Sequence, residues 1–198
     1  MSEPAKIGAT LLPCALCLVV FSAAMLPVSA SGAEPADYRG TYRIVDQKAA
    51  EAARDKAVKE VVAAMPALFR RIARKRLMAS ATVLLFFEFE PSPGHMTIST
   101  DRSSGWTTDL AATEVKFKPD RGKSFLLSRW MEDGALSTLG RRRNGVRDTR
   151  FELSVDGSRL VVITTIHNKR LPAPVTYETV YTREVVAAPA VPDAPAAP

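Results

Sequence analysis

Two β-patterned runs that meet at Asp156-Gly157 constrain this chain more than any other feature. Phe151, Leu153 and Val155 alternate with Arg150, Glu152 and Ser154, and beyond the dipeptide Leu160, Val162 and Thr164 alternate with Val161, Ile163 and Thr165. Asp-Gly suits a two-residue type I′ turn, in which both central residues take positive φ, so the dipeptide predicts an antiparallel hairpin. Side chains change face at every residue of a strand, and the turn therefore sets the register. Val155 falls opposite Ser158, Leu153 opposite Leu160, Phe151 opposite Val162 and Arg147 opposite Ile166.

The same unit recurs along the chain. Val83 to Glu90 runs through Pro91-Ser92-Pro93-Gly94 into the alternating Met96, Ile98 and Thr100, and Asp101 to Gly105 turns into Trp106 to Leu110 and Thr113 to Lys118. Pro119-Asp120-Arg121-Gly122 turns again; Phe125 to Met131 meets Ala135 to Arg142 through Asp133-Gly134; Asn144-Gly145 leads into the hairpin; and Val175 to Arg183 is the last strand. Closely spaced turn chemistry with no second helical region predicts a mainly β fold, an antiparallel up-and-down meander of about 8–10 strands. A meander this long with one apolar face closes into a barrel, because closure removes exposed edges, and its first and last strands then pair.

The first strand, Tyr38 to Ile44, is separated from the others by a helical insertion over residues 46–79. Asp46 stands where an N-cap belongs, and the apolar period changes from two to near 3.6. Val58, Val61, Met65, Leu68 and Ile72 form a stripe that Ala50, Ala53, Ala57, Val62 and Phe69 widen. The stripe predicts a core-facing surface. Pro66 inside it removes a hydrogen bond at a cost of about 3 kcal/mol, so the insertion is one kinked helix or a helix pair broken near Ala64. Beyond the break, Arg70, Arg71, Arg74, Lys75 and Arg76 form the densest cationic patch in the chain. Two readings stand side by side: cations complementing a helix C-terminus on a solvated face, or a helix that binds an anionic membrane or envelope surface. Val83 to Phe87 and Leu160 to Ile166 are apolar on both faces, and the helical insertion is what could cover their outer side or their end.

Residues 1–30 have the layout of a secretory signal. Lys6 precedes an uncharged run centred on the apolar Leu11 to Leu26, and Val28-Ser29-Ala30 supplies a small-x-small cleavage site, giving an exported, periplasmic or secreted protein. The competing reading is an uncleaved anchor, since the run is long enough to span a bilayer. Pro13 before Cys14 and Leu16 before Cys17 argue against a lipoprotein signal. Both cysteines of the chain lie in this segment, so the folded part has no thiol for a disulfide or a redox pair. Lys6 and Glu3 cancel, and the net charge of +6 belongs to the remainder. Residues 31–37 read as a linker, 38–186 as one domain, and 187–198, nearly all Ala and Pro, as a disordered tail.

Gly40-Thr41-Tyr42 on the opening strand, the helical insertion directly after it, the meander, and a closing strand ending Val180-Tyr181-Thr182-Arg183 together resemble the calycin superfamily, the lipocalins and fatty-acid-binding proteins. The resemblance implies a barrel holding a small apolar or amphipathic ligand, such as a lipid or fatty acid. It departs from the family in three places. Tyr42 replaces the usual Trp, the helical segment is longer, and the closing strand reads Tyr-x-Arg where fatty-acid-binding proteins carry Arg-x-Tyr for the ligand carboxylate. An unclosed half-barrel, as in periplasmic lipoprotein carriers, fits the same element order.

The candidate ligand-binding residues are Tyr42, Arg147, Tyr177, Tyr181 and Arg183. If they face inward, an apolar interior gains about 0.8 kcal/mol per buried methylene while an Arg takes the head group. The alternative is that the tyrosines are core aromatics with backbone partners and that the arginines reach solvent at strand ends. His95 and His167 stand apart without Cys partners, so no metal or haem site is expected, and no cofactor is implied. No nucleophile motif, phosphate-cradling loop or inward carboxylate pair is present, so an enzyme is not expected. Arg141-Arg142-Arg143 with Arg147 suits phosphate or glycolipid head groups rather than nucleic acid in an exported protein. The expected function is a non-catalytic barrel with an amphipathic ligand inside. The alternative is a solid-core interaction protein whose basic helix or Arg-rich loop binds an anionic surface or a protein partner.

Overall fold

Each predicted strand is present, although residues 83–85 lie before the strand that begins at Phe86 and residues 103–105, expected in a turn, belong to the strand that ends at Asp109. The computed structural model describes residues 32–118 and 124–185; the leader-like segment 1–30, the Pro119–Gly122 turn and the tail 187–198 lie outside them. The strands are β1 (Gly40–Ile44), β2 (Phe86–Ser92), β3 (His95–Thr100), β4 (Ser103–Asp109), β5 (Val115–Phe117), β6 (Phe125–Glu132), β7 (Ala135–Arg142), β8 (Gly145–Leu153), β9 (Arg159–Asn168) and β10 (Val175–Arg183). They form one antiparallel sheet in the order β4-β3-β2-β1-β10-β9-β8-β7-β6-β5. The first and last strands pair, Tyr42 opposite Arg183 and Ile44 opposite Tyr181, as the meander requires. The wall is thereby a nearly closed barrel. Its ends meet at a seam, where Ala111 bridges to Trp130 and the Ala112 amide donates to Arg129 O at 2.9 Å. The rings of Trp106, Phe117 and Phe125 pack together along this seam, with centroids 4.8 to 5.7 Å apart.

The hairpin register holds while its turn differs from expectation. Leu153 faces Leu160, Phe151 faces Val162 and Arg147 faces Ile166. Of the two turn residues only Gly157 takes positive φ, at 68°. The loop spans Val155 to Ser158, closed by the Ser154 amide on Arg159 O at 2.8 Å and the Gly157 amide on Ser154 O at 2.8 Å. The Asp156 carboxylate accepts from Ser154 Oγ at 2.6 Å, Ser158 Oγ at 2.7 Å and the Ser158 amide at 3.1 Å, and these bonds hold its carboxyl down to about 2. That bonding favours an ordinary turn with negative φ at Asp156. The two-residue turn with both residues at positive φ forms instead at Asp133-Gly134, with φ of 51° and 73° between the pair Glu132 and Ala135.

The insertion is a helix pair, α1 (Gln47–Ala63) and α2 (Ala67–Ser80). Asp46 caps α1 by accepting from the Ala49 amide at 2.9 Å, and the chain breaks between Ala64 and Pro66 as the missing amide dictates. The expected stripe does not continue through the break. Ala50, Val58 and Val62 are buried, but Leu68, Phe69 and Ile72 are exposed, and α2 buries Leu77 instead. Re-initiation at Pro66 rotates the second helix, so a stripe drawn through both cannot face one surface. The helices close one end of the barrel rather than an outer wall: Val58, Val62, Leu77 and Ala81 pack on the inward-facing Ile166, Val175 and Tyr177. Val161 and Ile163, on the outer face, stay half-buried, opposite Glu152 and Val180 and opposite Arg150 and Glu178 respectively.

At the other end the barrel is filled. Phe87 and Phe89 of β2 meet Phe151 of β8 edge-on, with centroids 5.2 and 5.3 Å apart, although three strands separate β2 from β8 in the wall. Tyr38 lies in a single 3-10 turn, Pro35–Tyr38, and not in the first strand as expected; Pro35 starts the turn and Gly40 begins the strand. Its buried hydroxyl donates to Phe151 O at 2.8 Å and accepts from the Leu136 amide at 3.1 Å, plugging this end. Tyr38→Phe leaves both groups without this partner and is expected to lower the unfolding free energy by about 1–3 kcal/mol, read from urea denaturation. Burial also pushes the Tyr38 and Tyr181 phenols up to about 12. The unfolded phenols ionise near 10, so the stability they contribute is intact below about pH 10 and is lost as pH rises toward 12. Ultraviolet titration alongside denaturation at each pH checks that window.

Candidate functional site

The five inward candidates do not converge on one site. Tyr42, Tyr181 and Arg183 lie toward the filled end. The Tyr42 ring is buried edge-on to Phe89 at 5.7 Å, its hydroxyl makes no hydrogen bond of ordinary geometry among the described residues, and burial pushes its phenol up against the opposing pull of Arg183. Tyr181 donates to Leu84 O at 3.0 Å and packs on Phe87 at 5.1 Å. The Arg183 guanidinium sits over the Tyr42 ring at 5.3 Å and donates through Nη2 to Asp37 O at 2.5 Å and Arg39 O at 2.7 Å. A Cβ added at Gly157 would lie 3.3 Å from Arg183 Nη1, so glycine lets the hairpin turn approach it. Arg183 therefore ties the start of the domain to the closing strand. Arg183→Met is expected to cost about 1–3 kcal/mol in chemical denaturation while leaving vesicle binding, described below, unchanged. Arg147 and Tyr177 lie at the helical end, where Arg147 Nη1 donates to Ser80 O and the Tyr177 hydroxyl to Thr82 O, both at 3.5 Å.

The cationic candidates, in contrast, come together. Arg70, Arg71, Arg74, Lys75 and Arg76 share α2, which has no acidic residue. Among the described residues none of the five enters an ion pair. Between α1 and α2 lies a groove of about 580 Å³, where Lys59 joins Arg70, Arg71, Arg74 and Lys75 over an apolar floor of Val62 and Met78. Beside these charges Leu68 is 81%, Phe69 53% and Ile72 54% exposed. Arg141 pairs with Glu114 at 3.1 Å and Arg142 stacks on Phe125 at 5.4 Å, so that arginine run is partly engaged in holding the seam.

One residue escaped the sequence reading. Arg129 is fully buried inside the barrel and has no acidic partner among the described residues. Its Nη1 donates to Met96 O at 2.6 Å and Trp106 O at 2.5 Å. Desolvation alone pushes its pKa down to about 9, which still leaves it charged at neutral pH. The signal was in the alternation of β6, where Phe125, Leu127, Arg129 and Met131 take one face and Arg129 is a cation in an apolar row.

No protein-family model and no curated protein matches the sequence. Solved structures do match in arrangement. A fatty acid transporter, REP1-NXSQ, is 14% identical with a TM-score of 0.49 over 77% of this chain and 99% of its own. The zebrafish ileal bile acid-binding protein complexed with cholic acid is 14% identical with a TM-score of 0.47 over 75% and 99%. Fatty-acid-binding protein 1 of Echinococcus granulosus is 12% identical with a TM-score of 0.46 over 76% and 99%. Each likeness covers about three quarters of this chain at low identity. The architecture of this chain rests on its own strand register and helix insertion.

Proposed function

We propose that this protein is an exported, non-catalytic lipid-binding barrel that meets its lipid at the helical cap. The observation carrying this reading is α2, where Leu68, Phe69 and Ile72 stand exposed among five cations with no acidic residue on the helix. An apolar face flanked by Lys and Arg is the pattern of a helix that lies in a lipid interface. Each large apolar side chain taken from water contributes about 1.5–3 kcal/mol, and each cation near an anionic leaflet about 1 kcal/mol. Among the described residues no helix is long and apolar enough to cross a membrane, and α2 would lie on the surface. The aromatic cluster at the far end of the barrel leaves Tyr42 and Tyr181 packed against Phe89 and Phe87, which favours the cap over a ligand held between those tyrosines. Export rests on the signal-like segment 1–30 and makes an anionic envelope or secreted lipid surface the partner.

Co-sedimentation with phosphatidylglycerol-containing vesicles tests this, with pure phosphatidylcholine vesicles as control. The native chain is expected to bind the anionic vesicles and to release from them as salt rises. Joint Arg70→Glu, Arg71→Glu and Arg74→Glu substitution should weaken binding about 100-fold or more. Joint Leu68→Ser, Phe69→Ser and Ile72→Ser substitution should weaken it about 10-fold or more. Equal binding to neutral vesicles, or binding unaffected by charge reversal, would overturn the proposal.

A further inference from the structure

A guanidinium carries five N–H donors and accepts nothing. In Arg129 the Nη1 group is occupied by the Met96 and Trp106 carbonyls, whereas Nε and Nη2 are buried and donate to no atom among the described residues. Nε and Nη2 share one edge of the planar group, and that edge presents the parallel pair of N–H groups that grips both oxygens of a carboxylate. Other unpaired polar groups belong to the same layer. Thr138 stands directly opposite Arg129 on β7, and Trp106 and Thr108 stand opposite Ile98 and Met96 on β4. The Thr138 and Thr108 hydroxyls and the Trp106 indole N–H are buried without partners among the described residues. The layer therefore offers donors on four groups and a full positive charge, with no ion pair to Arg129 among the described residues.

We infer that the free Nε/Nη2 edge of Arg129 is the receptor for a carboxylate, admitted to the barrel interior through the seam between β4 and β6. A buried charge is stabilised when an opposite charge and hydrogen bonds complete its shell, and a bidentate carboxylate supplies both. The seam is the natural way in. Among the described residues it is held by the Ala111–Trp130 bridge rather than by a continuous ladder, and two of the bonds that cross it involve Arg129 itself, the Ala112 amide donating to its backbone carbonyl and its Nη1 donating to Trp106 O. Ala112, whose amide makes the first of these bonds, has φ of 61°, in the left-handed region that alanine rarely adopts, so the seam closes there on a strained backbone. The site is on β6, away from the closing strand to which the calycin resemblance directs attention, and it is independent of the lipid surface proposed for α2.

The test uses the full chain, with acetate, octanoate and octanol as probes in thermal denaturation and isothermal titration. Octanoate is expected to raise the melting temperature of the native protein and, equally, of the variant carrying Arg70→Glu, Arg71→Glu and Arg74→Glu, which separates this site from the cap. Arg129→Met should abolish the rise and weaken octanoate affinity about 10-fold or more. Arg129→Lys, which keeps the charge and loses the paired edge, should not restore it. Protection by acetate as well would show that a free carboxylate suffices; protection by octanoate alone would show that the carboxylate must carry an acyl chain; both support the inference. Should Arg129→Met fail to fold, the Arg129 Nε–H resonance of the native protein decides, shifting saturably with octanoate and not with octanol. Octanol protecting as well as octanoate, no protection by any carboxylate, protection retained in Arg129→Met, or an unmoved Nε–H resonance would each overturn it.

Discussion

The contact of Phe87 and Phe89 with Phe151 across the barrel is the constraint on which the rest of the structure depends. Neighbouring strands bring side chains together along a wall, but β2 and β8 are not neighbours, and rings meeting from them must cross the interior. Each aromatic side chain buries on the order of 150–250 Å² in such a cluster. Tyr38 completes it by bonding its hydroxyl to the backbone at Leu136 and Phe151, converting the N-terminal turn into a plug. With that end closed, Tyr42, Tyr181 and Arg183 become parts of the frame. Exposed chemistry then concentrates at the helical end, and buried, unpaired donors at the seam.

The helical end follows from where its apolar side chains are used. Helix α1 is capped by Asp46 and pinned by Val58 and Val62 against Val175 and Tyr177. Helix α2, restarted after Pro66, needs Leu77 and the half-buried Ala73 and Met78 to stay docked. Leu68, Phe69 and Ile72 are left over, and five cations keep them company. Exposed apolar area costs solubility without a partner, while the cations beside it are unpaired among the described residues, and the two together suit an anionic lipid surface.

Much of this was legible in the residues. Alternation and turn chemistry located all ten strands, because a period of two is imposed by the pleat and survives any tertiary context. Asp46 and Pro66 marked the helix start and break, because each acts through the local backbone. What was not legible depended on distant contacts. The stripe through Leu68 and Ile72 looked buried because periodicity reports a face without reporting what the face meets. Asp156-Gly157 and Asp133-Gly134 read alike, yet Ser154 and Ser158 flank the first and recruit its carboxylate. Tyr177 and Tyr181 reached backbone carbonyls, a possibility that alternation leaves open. Arg129 is not legible from alternation alone, because one cation in an apolar row carries no meaning until the row is known to point inward.

The measurement that bears most directly on the cap is an environment-sensitive fluorophore attached in turn at residues 69 and 155, with Cys14 and Cys17 replaced by serine. Phe69 lies on α2, whereas Val155 is exposed on the turn between β8 and β9 at the opposite end. On adding anionic vesicles, the label at 69 should shift to the blue as it enters the acyl boundary, and the label at 155 should not move. A shift at 155 alone, or at neither position while the protein sediments with the vesicles, would contradict a lipid surface on α2.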